Sequence, residues 1–443
     1  MTSTSSSTTT AGARRPQGGP PRLLATWLQT GRADLAAHLS VHGPVPLPRH
    51  VGPAWATGLV EDVGAAGLTG RGGAGFPTSR KLAAAIAGRR PLLAVNALEG
   101  EPASRKDVTL LVHAPHLVLD GAALVAAAVG APQIAVCVAD DCPEGTAAVE
   151  TALAERSRTG VGGPPARLAR PPGRYVSGEE SALVAWLAGG PARPRFRPTK
   201  GVPLTIGRRT VLVHSAETLA NVALIARHGP DWFRSAGVPE APGTCLVTVS
   251  GAVAAPVVRE VELGTPLSSI VEGAGAGAPF GAVLVGGYGG SWVRPGLLDT
   301  PYAPGPLAAV GGAVGAGVIG VLAPDACGVA ETARIAAYMA DESAGQCGPC
   351  VFGLRAVADD LVRLTRGEGD GKLVSRLRRR LQDVDGRGAC RHPDGAARLV
   401  RSALEVFARD VEAHARHRPC AAWKRSPILP VPRPAADVVR GRR

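Results

Sequence analysis

The string GLTGRGGAGFPTSRK at residues 67–81 concentrates glycine around an arginine and precedes a predicted helix. Glycine lets a backbone come close to a phosphate or a flat ring, and a helix N-terminus favours anionic groups. In a chain with 58 glycines, a surface turn is the competing interpretation of such a loop. Its candidate binding residues are Gly70, Arg71, Gly72, Gly73, Ala74, Gly75, Phe76 and Lys81.

Two further segments place acidic residues after a predicted strand or turn, NALEGEPASRKD from residue 96 and GRYVSGEESAL from residue 173. On an extended chain Glu99 and Glu101 face the same side, where they can hold ribose hydroxyls or an amide. The alternatives are a solvated turn for the first segment and dipole-complementing first-turn acids for the second. The candidate residues are Asn96, Glu99, Glu101, Tyr175, Gly178, Glu179 and Glu180.

Three of the eight cysteines have a spacing typical of a metal site. Cys347 and Cys350 form a C-x2-C pair, and Cys390 follows forty residues later. Thiolates suit iron because they are soft and anionic, and the two-residue spacing wraps ligands around one face of a cluster. The remaining cysteines are isolated and are expected to be buried small hydrophobes or surface thiols: Cys137, Cys142, Cys245, Cys327 and Cys420.

Composition limits the class of protein. A length of 443 residues predicts two or three domains, and no apolar run is long enough to predict a membrane span. The start of the chain has no apolar signal region, so we expect a soluble cytoplasmic protein with reduced cysteines. The net charge of +13 suggests nucleic acid, but the arginines are scattered apart from clusters at 376–380 and from Arg433, so we expect no nucleic-acid partner.

Apolar periodicity divides the chain. Residues 22–242 alternate strands and helices, which predicts an α/β layer with ligands at the carboxyl ends of its strands. Residues 243–322 form a run of strands around a short helix, typical of a small β-grasp-like module, and 323–425 show helical spacing that predicts a bundle. We expect a disordered tail at 1–21 and a basic tail at 426–443.

The motifs occur in one order: GRGGAGFPT, N-x-x-E-x-E-P with K-D, Y-x-x-GEE-x-AL, E-T-L-A-N-V and ES-x-G-x-C-x-P-C. Together they resemble the NADH-binding flavoprotein subunit of respiratory complex I and the related diaphorase subunits, from about Gly67 to Phe407. The resemblance implies a Rossmann-like FMN domain, a β-grasp insert of the soluble-ligand-binding (SLBB) type, and a helical domain for an iron–sulfur cluster.

The resemblance also implies roles for residues. NADH would lie on the flavin close to Phe76, with Glu101 and Glu180 on the dinucleotide, and Glu101 would favour NADH over NADPH. Hydride transfer then depends on positioning, so no catalytic acid or base is expected. The residues implied to cradle FMN are Gly70, Gly72, Lys81, Asn96, Tyr175, Gly178, Glu179 and Thr218.

The sequence departs from the family pattern at several positions. The first cluster ligand is Ala344, which leaves Cys347, Cys350 and Cys390. Three interpretations stay open: a [4Fe–4S] cluster completed by Ser343, His392 or an exogenous ligand, a three-iron cluster, or an empty site. The other departures concern flavin and dinucleotide contacts: Leu98, His214, Ser215, Arg197 and Lys200.

The sequence therefore favours an enzyme that takes hydride from NADH onto FMN and releases single electrons to an iron–sulfur centre and a partner protein. The expected partner is a ferredoxin-like or other iron–sulfur subunit, or a membrane reductase, and the basic charge suits an acidic partner. The alternative is a degenerate relative that binds flavin or nucleotide without transferring electrons.

Overall fold

The computed structural model describes residues 19–87, 91–196, 203–277 and 279–432. The helices are α1 Ala25–Thr30, α2 Leu35–His42, α3 Pro53–Ala65, α4 Thr78–Ile86, α5 Lys106–His113, α6 Pro115–Ala128, α7 Pro143–Thr159, α8 Glu180–Leu187, α9 Ala216–Arg234, α10 Leu267–Gly273, α11 Pro304–Ala309, α12 Gly328–Asp341, α13 Leu354–Arg366, α14 Leu373–Val384, α15 His392–Val406 and α16 Ala408–Ala415. The strands are β1 Leu92–Ala97, β2 Ile134–Val138, β3 Ala166–Ala169, β4 Thr205–Ile206, β5 Arg209–Ser215, β6 Gly237–Val238, β7 Ala241–Pro242, β8 Thr244–Gly251, β9 Val257–Glu262, β10 Val283–Val285, β11 Ser291–Val293 and β12 Val318–Val321.

The first sheet has the order β3-β2-β1-β5-β4, and all its pairs are parallel except β4 with β5. The central strands β1 and β2 are apolar because helices cover both faces of the sheet. The predicted α/β architecture is confirmed.

Helices α6 and α9 cross closely behind this sheet. A Cβ added at Gly121 would lie 1.8 Å from the carbonyl oxygen of Leu219, so only glycine allows this approach. The contact fixes α9, whose N-terminus follows β5 directly. It therefore holds the start of α9 at the edge of the sheet where the motifs lie.

The second sheet has the order β11-β10-β12-β8-β9, with β12 parallel to β8 and the other pairs antiparallel. Helix α10 packs on it through Leu267, Ile270 and Val271. The predicted strands at β8, β9 and β10 and the short helix α10 are confirmed. The carboxylate of Glu260 on β9 accepts the backbone N–H groups of 22–24, which ties the N-terminal segment to this sheet.

Parts of both predicted tails contact the folded protein. The Gly19 N–H donates to Glu262 Oε1 over 3.0 Å, so residues 19–21 lie against the second sheet, whereas residues 1–18 lie outside the described part of the chain. At the other end Leu429 and Val431 are buried in the helical core, so 426–432 belong to the folded protein. Residues 433–443, with the predicted basic cluster, lie outside the described residues.

The C-terminal part is helical, as its apolar spacing predicts. Helices α12, α13, α14, α15 and α16 share one apolar core, to which Trp292 of β11 also contributes. Two arginines of the 376–380 cluster are ion-paired, since both Arg376 and Arg380 contact Asp360. This part of the basic charge is therefore neutralised locally.

Within the described ranges, no single helix is long and apolar enough to cross a membrane. Helices α5 and α6 meet the length and composition limits together, but they are bent by 95° at their junction. Their residues are almost all buried in the core.

Candidate functional site

The carboxyl ends of β1 and β5 lie side by side, with Asn96 in register with Ser215. Ser215 caps α9 by accepting the Thr218 N–H, and the hydroxyls of Ser215 and Thr218 are 2.8 Å apart. The glycine loop reaches the same place, because the Arg71 N–H donates to Thr218 Oγ1 over 2.9 Å. Parallel sheets bind ligands at this edge.

The turn before α8 joins the same edge. Asn96 Nδ2 donates to the Gly178 carbonyl over 2.9 Å, and a Cβ at Gly100 would lie 2.8 Å from the Tyr175 carbonyl oxygen. Lys81 Nζ pairs with Glu180 Oε1 at 2.7 Å. The structure thus brings together segments that lie as much as 147 residues apart in the sequence.

Glu99 and Glu101, expected to face the same side, have different hydrogen-bond partners. Glu99 turns toward α5, where it accepts the backbone N–H groups of Asp107 and Val108 over 3.1 and 3.0 Å. Glu101 turns toward the second sheet instead. Ser104 N–H bonds back to the Glu101 carbonyl oxygen, so the chain turns directly after Glu101.

Glu101 lies beneath the Gly-rich turn after β10. Its Oε2 accepts the Tyr288 N–H over 2.8 Å and the Tyr175 hydroxyl over 3.4 Å, and a Cβ at Gly287 would collide with it. Burial raises the pKa of Glu101 to about 7. The carboxyl therefore changes charge near neutral pH at the junction of the two sheets.

This raised pKa makes stability depend on pH. The folded chain binds the Glu101 proton more tightly than the unfolded chain. Burying the ionised carboxylate therefore lowers the free energy of unfolding, an effect that is absent below about pH 4.5 and complete above pH 7. We expect Glu101→Gln to raise the free energy of unfolding at pH 8 by up to about 3 kcal/mol more than it does at pH 5. Urea denaturation at both values measures this, with exposed Glu240→Gln as the matched control. An equal pH response in the wild-type and Glu101→Gln chains would contradict it.

The side chains of Glu179 and Arg71 hydrogen-bond to groups of the protein itself. Glu179 caps α8 by accepting the Ser181 and Ala182 N–H groups, each over 3.0 Å. The Arg71 guanidinium donates to Thr69 and to the Pro242 carbonyl, so this residue faces the site through its backbone. Phe76, by contrast, is 53% exposed at the edge of the loop.

The sequence departures have local explanations. Leu98 packs in the apolar cluster beneath α8, which a carboxylate could not do without a partner. His214 is buried, and burial together with nearby Lys81 lowers its pKa to about 3. Its Nε2 has no hydrogen-bond partner among the described residues. Arg197 and Lys200 lie outside the described residues.

The three predicted metal-ligating cysteines lie together. Cys350 belongs to a π-helical turn, Pro349–Gly353, and Cys390 precedes α15, where its sulfur accepts the His392 backbone N–H. Burial, followed by the neighbouring Cys347 and Cys390, raises the pKa of Cys350 to about 12. Ala344 offers no ligand atom at the first position.

This cysteine site adjoins the acidic turn. A cavity of about 220 Å³ is lined by Tyr175 and Glu179 on one side and by Cys390 and His392 on the other. The rings of Tyr175 and His392 are 5.3 Å apart. The α/β site and the cysteine site are therefore direct neighbours.

A second cavity, of about 660 Å³, faces the glycine loop at Gly73 and Ala74. Arginines from the C-terminal helices line its other side, which the sequence did not predict because no motif surrounds them: Arg391, Arg398 and Arg401. Arg401 pairs with Asp385 at 2.6 Å, and Arg398 donates to the Gly289 carbonyl. Asp385 and Asp394 line the same side, and Asp394 pairs with Arg391 at 2.8 Å, so the glycine loop faces a mixed charged wall with arginine in excess.

Two family models match the regions of the chain that contain these two sites. Residues 63–224 match the model of the Nuo51 FMN-binding domain, and residues 330–414 match that of the NADH-ubiquinone oxidoreductase-F iron-sulfur binding region. The chain is 32% identical over 377 residues to the second NADH-quinone oxidoreductase F subunit of Rhizobium meliloti, covering 82% of this chain and 90% of the relative. The chain belongs to the family of NADH-quinone oxidoreductase F subunits.

Other members of this family show similar likeness. The NADH-quinone oxidoreductase F subunit of Streptomyces coelicolor is 29% identical over 376 residues, covering 82% of this chain and 84% of the relative. Among solved structures, the H2-reduced NAD+-reducing [NiFe]-hydrogenase matches with a TM-score of 0.78 and 31% identity, over 91% of this chain and 68% of that chain. The predicted family is confirmed.

The residues at the two sites fit the groups that the family models name. The exposed glycine loop, the Ser215 and Thr218 hydroxyls at a helix N-terminus and the orphaned His214 nitrogen suit a phosphate and a polar ring. The three thiols suit an iron–sulfur cluster, and the helix N-terminus beside Cys390 favours its thiolate. They supply three of the four ligands that a [4Fe–4S] cluster usually has.

Proposed function

We propose that this chain takes hydride from NADH onto FMN and passes single electrons through an iron–sulfur centre to a partner protein. The observation that carries this proposal is that the two sites are adjacent. The motifs of the α/β site meet at one sheet edge, and their acidic turn and Cys390 line the same cavity. Membership of the F-subunit family, whose models name FMN-binding and iron–sulfur regions, supports it.

We infer that the flavin binds at the carboxyl ends of β1 and β5. FMN bound there would supply two-electron acceptance and one-electron release. The chain contributes position and charge: Lys81 brings a cation, and the backbone of Gly72 lies near Ser215 with no side chain between them. The residues proposed to hold FMN are Gly70, Gly72, Lys81, Asn96, Tyr175, Gly178, Glu179 and Thr218.

NADH is proposed to enter beside Phe76, whose exposed ring can cover a base or the nicotinamide. Arg398 across the cavity suits its diphosphate, because one guanidinium group can bind two phosphate oxygens, whereas Arg391 is already paired with Asp394. Glu180 lies at the entrance, paired with Lys81, and Glu101 lies deeper. Their negative charge favours NADH over a ligand with an additional phosphate.

Cys347, Cys350 and Cys390 are proposed to hold a [4Fe–4S] cluster whose fourth ligand is not cysteine. His392 is the better candidate of the two side chains considered, since its Nε2 bonds the Met339 carbonyl while its buried Nδ1 has no partner among the described residues. With three thiolates the cluster should be lost readily in air.

The second sheet supports the β-grasp assignment. Its order places the first and last strands, β8 and β12, side by side and parallel at the centre, with hairpins on both flanks. We propose that 243–322 is the SLBB-like module and that 323–425 with the following segment is the cluster-binding bundle.

A basic chain that ends its electron path at a surface cluster suits an acidic iron–sulfur partner, either a ferredoxin-like subunit or the soluble arm of a membrane reductase. We infer a cytoplasmic chain that reaches a membrane only through such a partner. Electrostatic steering then predicts association that weakens as salt concentration rises.

The competing function is a flavin-binding protein without electron transfer, favoured by Leu98 and Ala344. Anaerobic purification followed by a visible spectrum separates the two. We expect flavin bands that bleach with stoichiometric NADH, together with broad cluster absorption. Flavin that NADH does not bleach would favour the competing function, and a preparation that binds no flavin when supplied with FMN would overturn both.

A further inference from the structure

A second thiol-rich cluster lies away from the flavin and from the three cysteines considered above. Cys327, His414 and Cys420 bring their ligand atoms within 4.8 Å of one another. Cys327 and His414 are buried, at 3% and 0% exposure, and Cys420 is partly exposed. Cys327 is buried in the core, as expected, and the fold brings it close to Cys420 although the two are isolated in the sequence.

Three separate elements build this cluster. Cys327 caps α12, accepting the Ala330 N–H over 3.4 Å, and His414 lies in the last turn of α16. Cys420 follows α16, and its backbone N–H donates to His414 Nε2 over 3.1 Å. Since Nε2 accepts this hydrogen bond, it carries a lone pair rather than a proton, and an ion bound at Nε2 would replace the Cys420 N–H.

We propose that Cys327, His414 and Cys420 form a binding site for a thiophilic divalent cation of the Zn²⁺ class. Bond lengths in zinc sites imply a sulfur-to-nitrogen separation of about 3.6 Å across a tetrahedral ion. The separation of Cys327 Sγ from His414 Nε2 is 3.9 Å, so a small inward movement completes the geometry. Binding releases the two thiol protons and leaves a fourth position for water or another ligand.

The surroundings of the imidazole support this assignment. The backbone carbonyls of Leu364 and Thr365 lie near His414, whose buried Nδ1 makes no hydrogen bond among the described residues. A small rotation of the ring would let one of these carbonyls orient Nδ1, as such groups do around zinc ligands. Asp410 lies one helical turn before His414 and adds negative charge near both His414 and Cys327. A disulfide between Cys327 and Cys420 would use neither the imidazole nor these groups.

An ion bound by these three residues would hold the segment after Cys420 against α12 and α16. The segment after Cys420 crosses α12, where Arg334 donates to the Arg425 carbonyl and Glu331 accepts the Ile428 and Leu429 N–H groups. Leu429 then packs against the second sheet at Gly251 and Gly320. The cation would thus fasten this C-terminal segment to both domains.

The test uses Co²⁺ as a spectroscopic probe in the full-length chain carrying Cys347→Ser, Cys350→Ser and Cys390→Ser, which removes the iron site. We expect a thiolate-to-cobalt absorption band that saturates at one Co²⁺ per chain and is lost on adding Zn²⁺. Cys420→Ser should abolish the band, whereas Cys142→Ser, a partly buried cysteine elsewhere, should preserve it. Absence of the band, or a band unchanged by Cys420→Ser, overturns the proposal.

Zinc content measured on the otherwise unaltered chain keeps the test valid if the triple variant fails to fold. After purification with Zn²⁺ and dialysis, we expect one zinc per chain, and none in Cys420→Ser. Equal zinc in both chains, or a Cys327–Cys420 disulfide found by mass spectrometry in the zinc-treated chain, overturns the proposal. Flavin content serves as the folding control in every variant.

Discussion

Replacing Lys106 by methionine is expected to lower the free energy of unfolding by roughly 3–5 kcal/mol. Lys106 is 4% exposed, and its Nζ lies 2.9 Å from Asp107 and 3.1 Å from Glu217. Methionine preserves most of the side-chain volume but leaves two buried carboxylates without their cation. Since a buried unpaired charge is costly, the loss should exceed that of an ordinary core substitution.

The position of Lys106 explains why the effect is large. Burial would lower the pKa of Lys106, but Asp107, Glu217 and Glu99 outweigh it and raise that pKa, so the ammonium stays charged. Glu217 also accepts the Leu246 N–H over 2.9 Å, which links α9 to the second sheet. Removing the cation therefore weakens the junction between domains as well as one ion pair.

Urea denaturation followed by circular dichroism measures this change, with exposed Lys372→Met as the matched control, expected within about 0.5 kcal/mol of wild type. The deficit of Lys106→Met should shrink from pH 8 to pH 5, because the unpaired carboxylates take up protons as pH falls. A Lys106→Met chain as stable as the control at pH 8 would show that the junction does not depend on this cation.

Patterns within short segments of the sequence were sufficient to predict the segments that meet at the α/β site. The strand β1, the glycine loop and the turn before α8 are contiguous segments whose composition reflects local backbone needs, and strand parallelism alone brings their ends to one edge. The CGPC turn is likewise a local spacing typical of cluster sites, but its proximity to Cys390, forty residues later, depends on how the helices pack.

Contacts between distant segments could not be predicted in this way. Nothing near Glu101 in the sequence indicates that Tyr288, 187 residues later, donates to its carboxylate. Cys327 and His414 likewise meet only because α12 and α16 pack together. Glu99 resembled a ligand-binding acid, but its oxygens satisfy the first N–H groups of α5, a need that any helix start has.

Restoring the missing ligand, Ala344→Cys, is expected to convert an oxygen-sensitive cluster into a stable one. Residue 344 stands three positions before Cys347, in the turn after α12, and is partly exposed. A fourth thiolate fills the coordination position that alanine leaves open, and four cysteines are the usual ligand set of a [4Fe–4S] cluster. We expect four irons per chain and a cluster lifetime in air at least about tenfold longer, since replacing a weak ligand by thiolate slows iron loss.

Iron and sulfide analysis with the decay of visible absorption in air measures this effect. Ser343→Cys is the matched control. It adds a thiol one residue before position 344, where the C-x2-C-x2-C spacing of the family has no cysteine. If the wild-type chain holds three irons or none, Ala344→Cys raises the count; if it already holds four, only the lifetime rises. Unchanged iron content and unchanged decay in the Ala344→Cys chain would show that the cysteines no longer hold a cluster, and that electrons leave the flavin by another route.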